Sequence, residues 1–470
     1  MKLLQACLAV ALWSTGSSSV LQGQATVDTS VVFNIVNVNS GYPLGIQGAS
    51  QTAGAAAYQL TSDGSANQKW HFVPAGNSEY HIVNANTGQV LGIASASTNP
   101  GAAGLQWADN GTNDHLWKVV SVGNGQYKLL NSNSNLVLGV SNASQSPNQP
   151  TVQWTDNGTS DHLWRLTSAG GSWPGPGGLS GNVVPVADPS IVKAGSTYHL
   201  FATGGPIQER DSTDRSNFTS SNPASAFSAI PGWAASYNSA DLWAPDVSDH
   251  NGTYRMYYAV SKFGTSTSAI GLATSASAAS GSWNDSGSAV LTSSTCSGAN
   301  AIDPGLIVDS SGNWWLSFGS FFGGIKMIAI DPNTGRQLGS NTSCYSLANR
   351  LSGSAIEGAY VYPHGGYYYL FASIDACCNS TSSTYHVIVG RSSSANGPFY
   401  DRGGLAMTQG GGTIILATHG NIIGPGGQSV FADSDGDIFV YHYYDGNNSG
   451  YPTLGINRLA WSGDGWPSIN

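Results

Sequence analysis

Three segments of this chain are copies of one unit: "FNIVNVNSGYPLGI" (33–46), "YHIVNANTGQVLGI" (80–93) and "YKLLNSNSNLVLGV" (127–140). They begin at Phe33, Tyr80 and Tyr127, 47 residues apart. Gln59, Gln106 and Gln153 keep that interval, as do Trp70, Trp117 and Trp164. Such a period means that one supersecondary unit is stacked or closed on its own copies. Within each unit apolar and polar residues alternate between Asn, Ser and Gly turns, which is the pattern of short β-strands. One unit cannot bury its own apolar face, whereas three around a threefold axis share a core. The three Trp at equivalent places are expected to build that core.

A looser recurrence follows. "DPSIVKAGSTYHLFA" starts at Asp188, "APDVSDHNGTYRMYYA" at Ala244, "DPGLIVDSSGNWWLSF" at Asp303, "EGAYVYPHGGYYYLFA" at Glu357 and "GQSVFADSDGDIFVYH" at Gly427. Each is an apolar strand, a Gly-bearing turn and an aromatic strand, with room for a second hairpin before the next. Five four-stranded sheets in succession predict a five-bladed β-propeller. The chain is therefore expected to be all-β: a signal peptide (1–25), a threefold module (26–168), a Gly/Pro/Ser-rich flexible tether (169–182) and the propeller (183–470).

Composition narrows the partners. Only 9% of residues are charged, the net charge is −10, and no basic cluster appears. Nucleic acid is excluded as a partner, and a neutral, hydrogen-bonding ligand fits better. Lys2 followed by "LLQACLAVALW" reads as a secretory signal, and no later stretch is long and apolar enough to span a bilayer. After its removal Cys296, Cys344, Cys377 and Cys378 remain. An even count in an oxidising compartment suggests disulfides. Of three pairings, Cys296–Cys344 with Cys377–Cys378 is favoured over the alternatives and over a zinc site. N-x-S/T sequons such as Asn110, Asn217, Asn251 and Asn379 agree with secretion.

The five starts are Asp188, Ala244, Asp303, Glu357 and Gly427. In a propeller such positions surround the central axis, so three carboxyls are expected there. Asp before Pro is a common turn former, but Glu357 has no turn preference and lies among apolar residues. Crowded buried acids raise one another's pKa, and one protonated with one ionised carboxyl is a glycosidase pair. Glu357 is then the proton donor, Asp188 the base and Asp303 the group that tunes the donor. Acid and base on opposite sides of the axis favour inversion at the anomeric carbon.

Two resemblances sharpen these readings. The Gln-Trp pairs at 106–107 and 153–154 with "DHLW" at 114–117 and 161–164 resemble a ricin-type β-trefoil, a fold that in enzymes usually serves to bind carbohydrate. Trp107 and Trp154 are candidates for an exposed stacking face, and Asp109 and Asp156 for holding sugar hydroxyls. Leu60 and Ser62 stand at those places in the first repeat, so one or two working sites are expected. "VADPSI", "LWAPDV", "NAIDPGL", "SFGSFFGGI" and "IEGAYV" resemble glycoside hydrolase family 43, closest to endo-acting enzymes that cut α-1,5-linked L-arabinan. The resemblance implies inversion, with Asp188 as base, Asp303 as pKa modulator and Glu357 as acid. It also implies that Trp243 and Phe263 line arabinose subsites with Asn300 and Ser320 nearby. No cofactor is required. Relatives carry a His after the "GPG" motif that helps to hold an axial ion or water cluster; here Gly427 and Gln428 follow it, so no ion ligand is assigned. The expected partner is plant cell-wall polysaccharide, arabinan and pectin side chains, with no membrane and a monomeric enzyme. Rival readings are an exo-acting α-L-arabinofuranosidase, a β-xylosidase, or a lectin-like protein without catalysis.

Overall fold

The computed structural model describes residues 23–171, 173–238, 240–350 and 354–470. Residues 1–22, which hold most of the expected signal segment and Cys7, lie outside the described residues. Among those described, the regular structure is strands and short 3-10 turns. No helix among the described residues is long and apolar enough to cross a membrane.

The first twelve strands, from Val31–Asn37 to Trp164–Gly171, join in one sheet whose threefold repeat is visible in its register. Phe33 faces Trp70, Tyr80 faces Trp117, and Tyr127 faces Trp164. The three Trp are fully buried in one core. Each indole N–H donates to an equivalent backbone carbonyl, Leu44, Leu91 or Leu138, at 2.8–3.0 Å. The three Gln are also structural. Each is buried, and its amide donates to two carbonyls of a neighbouring loop. Gly92 and Gly139 are required by close approach, because a Cβ at either would lie 2.4 Å from the ring of His115 or His162.

Five sheets then follow as blades, each opening with an inner strand: Ser190–Ala194, Trp243–His250, Gly305–Val308, Ile356–His364 and Ile422–Asp433. Among the described residues no strand is shared between the first and last blades. The ring closes through an apolar cluster of Ile191, Leu200, Val440 and Leu454, with Leu454 N–H donating to Val183 O at 3.0 Å.

The inner strands share a feature that corrects one expected register. Asp188, Ala244, Asp303, Gly358 and Gly427 all have positive φ, between 42° and 61°. Each is followed three residues later by a buried apolar side chain: Ile191, Val247, Leu306, Val361 and Val430. The fourth member of the ring is thus Gly358, not Glu357, and its apolar partner is Val361. The inner strands of blades 2, 4 and 5 show an irregular register at this point, as β-bulges do when they re-aim a side chain. A left-handed residue other than Gly costs roughly 1–3 kcal/mol. The ring holds it in place by hydrogen bonds between neighbouring blades. Val247 N–H donates to Ser190 Oγ at 3.0 Å, Leu306 N–H to Asp246 Oδ2 at 2.7 Å, Tyr360 O–H to Val430 O at 2.9 Å and Ser429 Oγ–H to Pro189 O at 2.8 Å.

The segment expected to be a flexible tether is docked instead. Trp173 stacks on His71 at 4.1 Å, Gly177 N–H donates to Ile456 O at 2.9 Å, and Asn457 Nδ2 donates to Gly175 O at 2.8 Å. Ser180–Gly181 pairs with the outer strand of blade 1. Gly and Pro here permit close backbone approach rather than slack. The trefoil itself packs on blade 4. Ile414 N–H donates to Gly88 O, Ala53 N–H to Gly403 O, and Arg402 to Asn86 O, while Val73, Val83 and Val90 join the apolar cluster of Ile388 and Ile414. The structure pairs Cys296 with Cys344 and Cys377 with Cys378, as favoured from the sequence.

Candidate functional site

The channel on the axis is lined by one stretch from each inner strand, including Asp188, Ala244, Asp303, Gly358 and Gly427. The three acids expected to meet do meet. Asp303 Oδ2 accepts Gly358 N–H at 2.9 Å, which ties it to the residue beside Glu357. Burial, then the charges of Glu357 and Asp188, push the Asp303 carboxyl well above the usual carboxylate range. Glu357 is raised too, first by burial. Ser320 Oγ donates to Glu357 Oε2 at 2.7 Å, and Tyr385 O–H donates to Oε1 at 3.0 Å. Both bonds favour the ionised form, and burial outweighs them.

Asp188 is the most open of the three, its side chain 31% exposed. Thr203 Oγ1 donates to its Oδ2 at 2.6 Å, and its own N–H donates to His442 Nδ1 at 3.1 Å. Gly427 is glycine for a steric reason as well as for its φ: a Cβ there would sit 2.5 Å from Asp188 Oδ1 and 2.8 Å from the His442 ring. Gln428 continues the same support. It accepts from Ser373 Oγ at 2.7 Å and donates to Gly358 O at 2.6 Å.

The other expected site residues divide. Ser320 touches Glu357 directly. Trp243 precedes Ala244 as Glu357 precedes Gly358, so the two occupy matching places in blades 2 and 4. Its ring is partly buried against the core between blades 2 and 3. Phe263 lies on the turn between two strands of blade 2 and is 79% exposed. Asn300 is buried and accepts from Ser268 Oγ at 2.6 Å.

Sequence reading missed His442, Thr203, Tyr385 and Asp246, and the supporting hydrogen bonds of Gln428. Asp246 is a fourth carboxyl on the channel, and burial pushes it up to about 7. It stands two residues after Ala244, as Ser190 stands two after Asp188, and that spacing could have located it. Nothing local marks His442, 254 residues from Asp188. No ligand for an axial ion was expected at Gly427 or Gln428. The structure brings His442 to that place instead, with Nε2 buried and unpartnered. Its Nδ1 lone pair accepts the Asp188 N–H, so the neutral ring carries its proton on Nε2 and presents a hydrogen-bond donor there. Burial holds His442 below its ordinary pKa, hence neutral.

In the trefoil the four candidates separate into two pairs. Trp154 is 45% exposed, and Asp156 beside it pairs with Lys128 at the surface. Asp109 does not face an open sugar site. It is buried under the propeller, where Arg350 donates to its Oδ2 at 3.1 Å and also to its backbone carbonyl. Burial works to raise the Asp109 carboxyl, but His81 first, then Arg350 and His115, hold it well below the usual range. The second-repeat acid has become a clasp between the domains, and Trp107 beside it is half-buried against Gly54.

Comparisons with known proteins agree with this architecture. The profile of Glycosyl hydrolases family 43 matches residues 182–467, and that of the Ricin-type beta-trefoil lectin domain-like family matches 13–107 and 113–174. An extracellular endo-α-(1→5)-L-arabinanase of Bacillus subtilis is 43% identical over 60% of this chain and 86% of its own length. An extracellular exo-α-(1→5)-L-arabinofuranosidase of Cellvibrio japonicus is 36% identical over 61% and 87%. The solved endo-arabinanase of Bacillus licheniformis superposes with a TM-score of 0.58 at 42% identity, covering 63% of this chain and 100% of that one. A five-bladed propeller with three acids gathered on its axis, matched over its whole span, places this chain in glycosyl hydrolases family 43, as a glycoside hydrolase that carries a ricin-type β-trefoil ahead of its catalytic domain.

Proposed function

We propose that this protein is a secreted enzyme that hydrolyses α-1,5-linked L-arabinan from within the chain, with inversion. The observation that carries the reading is the difference between two acids at one channel. Glu357 is buried, raised in pKa and held by Ser320 and Tyr385. Asp188 is open enough for water to reach it. Glu357 donates a proton to the leaving glycosidic oxygen, and Asp188 takes one from the attacking water. Burial and, after it, the charge of Asp188 keep the proton on Glu357, while Asp303 accepts Gly358 N–H and so positions the residue beside the donor. Thr203 and His442 hold Asp188 in orientation. Trp243 and Phe263 offer aromatic faces for arabinose rings, and Asn300 is a candidate hydrogen-bonding residue nearby. No cofactor enters these steps.

Endo action is favoured by the higher identity to the endo-acting relative, 43% against 36%. Timed product analysis on linear arabinan tests it. Early mixed oligomers are expected, whereas arabinose alone from the first time points would assign exo action. Extracellular relatives and the expected signal segment support secretion.

The trefoil serves as a polysaccharide-binding module through its third repeat. Trp154→Ala is expected to weaken retention on insoluble polysaccharide about tenfold, the loss of roughly 1–1.5 kcal/mol of stacking. Trp107→Ala should leave retention nearly unchanged, because its neighbouring acid is sealed under Arg350. Equal losses for both would return the second repeat to the binding face.

A further inference from the structure

Blade 1 carries a second cluster of chemistry-bearing side chains, away from the axis. His199 and Asp211 face each other across two neighbouring strands, Thr197–Ala202 and Gln208–Ser212. Glu209 lies two residues before Asp211 and therefore on the same face of the sheet. His199 Nδ1 is 3.3 Å from Glu209 Oε1 and 2.8 Å from Asp211 Oδ1, and the three ligand atoms lie within 4.8 Å of one another.

Hydrogen bonding within the cluster does not satisfy it. One N–H on Nδ1 cannot serve both carboxylates. Asp211 Oδ1 is the nearer, yet it is buried outside hydrogen-bond geometry with no partner. Glu209 is 1% exposed, and its Oε2 is buried and unpartnered as well. The Ser280 backbone also lies beside this carboxyl. Among the described residues no Lys or Arg forms an ion pair with either acid; Arg210 donates to Pro185 O and Gln208 Oε1 instead. Buried oxygens of this kind are costly unless something else binds them.

We propose that His199, Glu209 and Asp211 form a binding site for a first-row divalent cation such as Zn²⁺ or Mn²⁺. Donor atoms at about 2.1 Å from one metal centre lie roughly 3.0–3.4 Å apart, close to the two separations seen. One imidazole with two carboxylates suits such an ion better than Ca²⁺, which prefers an all-oxygen shell. The partly exposed Asp211 side gives the ion a way in. Its place in the fold gives it a consequence. It would pin the two middle strands of blade 1 four residues before Thr203, whose hydroxyl holds Asp188.

The test uses the full-length protein stripped with a chelator. Zn²⁺ and Mn²⁺ are titrated by calorimetry, the thermal midpoint is followed, and Co²⁺ is added for its visible spectrum. One equivalent is expected to bind and to raise the midpoint by mass action. Asp211→Asn, at a partly exposed position, should weaken affinity about tenfold or more and alter the Co²⁺ spectrum. His442→Ala should leave both unchanged, which separates this site from any ion on the axis. Absence of binding overturns the proposal. So does binding that survives Asp211→Asn intact, or binding that is lost only with His442→Ala.

Discussion

Replacing Glu357 with Gln is expected to lower kcat on linear arabinan by about 10²- to 10⁴-fold, with KM little changed. Gln keeps the shape and can still receive the Ser320 hydrogen bond, but it has no proton to give to the leaving oxygen. An arabinofuranoside with an acidic phenol as leaving group needs no such proton, so its cleavage should be largely retained. The pH dependence follows from the direction of the shift. The active enzyme holds Glu357 protonated, and burial raises that pKa. Activity should fall as pH rises through the raised value, and this limb should vanish in the variant. Stability carries the same sign. A carboxyl raised on folding stabilises fully below its unfolded value and loses that contribution as pH rises through the folded one. The variant should therefore lose less stability than the wild type on the alkaline side. Wild-type kcat on arabinan after this substitution would remove Glu357 as the proton donor.

Asp109→Ala is expected to destabilise the docking of trefoil on propeller by about 3–5 kcal/mol. Both partners of the Asp109–Arg350 pair are 1% exposed at the side chain. Removing the carboxylate leaves a buried guanidinium whose remaining acid, Asp375, is 3.9 Å away. Its loss should separate the thermal transitions of the two domains and open the interface to proteolysis. Asp156→Ala is the control. Its pair with Lys128 is partly exposed, and such pairs contribute about 0–1 kcal/mol. Replacing both Asp109 and Arg350 with Leu should recover much of the loss, since no unpaired charge is then buried. A single, unshifted transition in Asp109→Ala would mean that the apolar contacts alone hold the interface. Arg350 and Asp375 also flank the hairpin of Glu357 in sequence, so weaker docking is felt first at that blade.

Periodicity carried the sequence reading as far as it could go. The 47-residue interval determines the trefoil and places Trp70, Trp117 and Trp164 in its core, because each repeat must bury the same face. The fivefold recurrence determines the propeller and gathers Asp188, Asp303 and Glu357 at one axis. The limits appear where a single residue of register matters. A bulge sets Gly358 rather than Glu357 in the ring, and "EGAY" reads equally well either way until φ is known. Other contacts join residues more than 200 positions apart: His442 to Asp188, Arg350 to Asp109, Asn457 to Gly175. They depend on how finished blades and the trefoil pack as bodies. Local pattern records which face of a strand is buried, not which partner buries it. For that reason the fold and the acid trio belong to the sequence itself. The support around Asp188, the sealing of the second trefoil repeat and the docking of residues 173–181 were decided by tertiary packing alone.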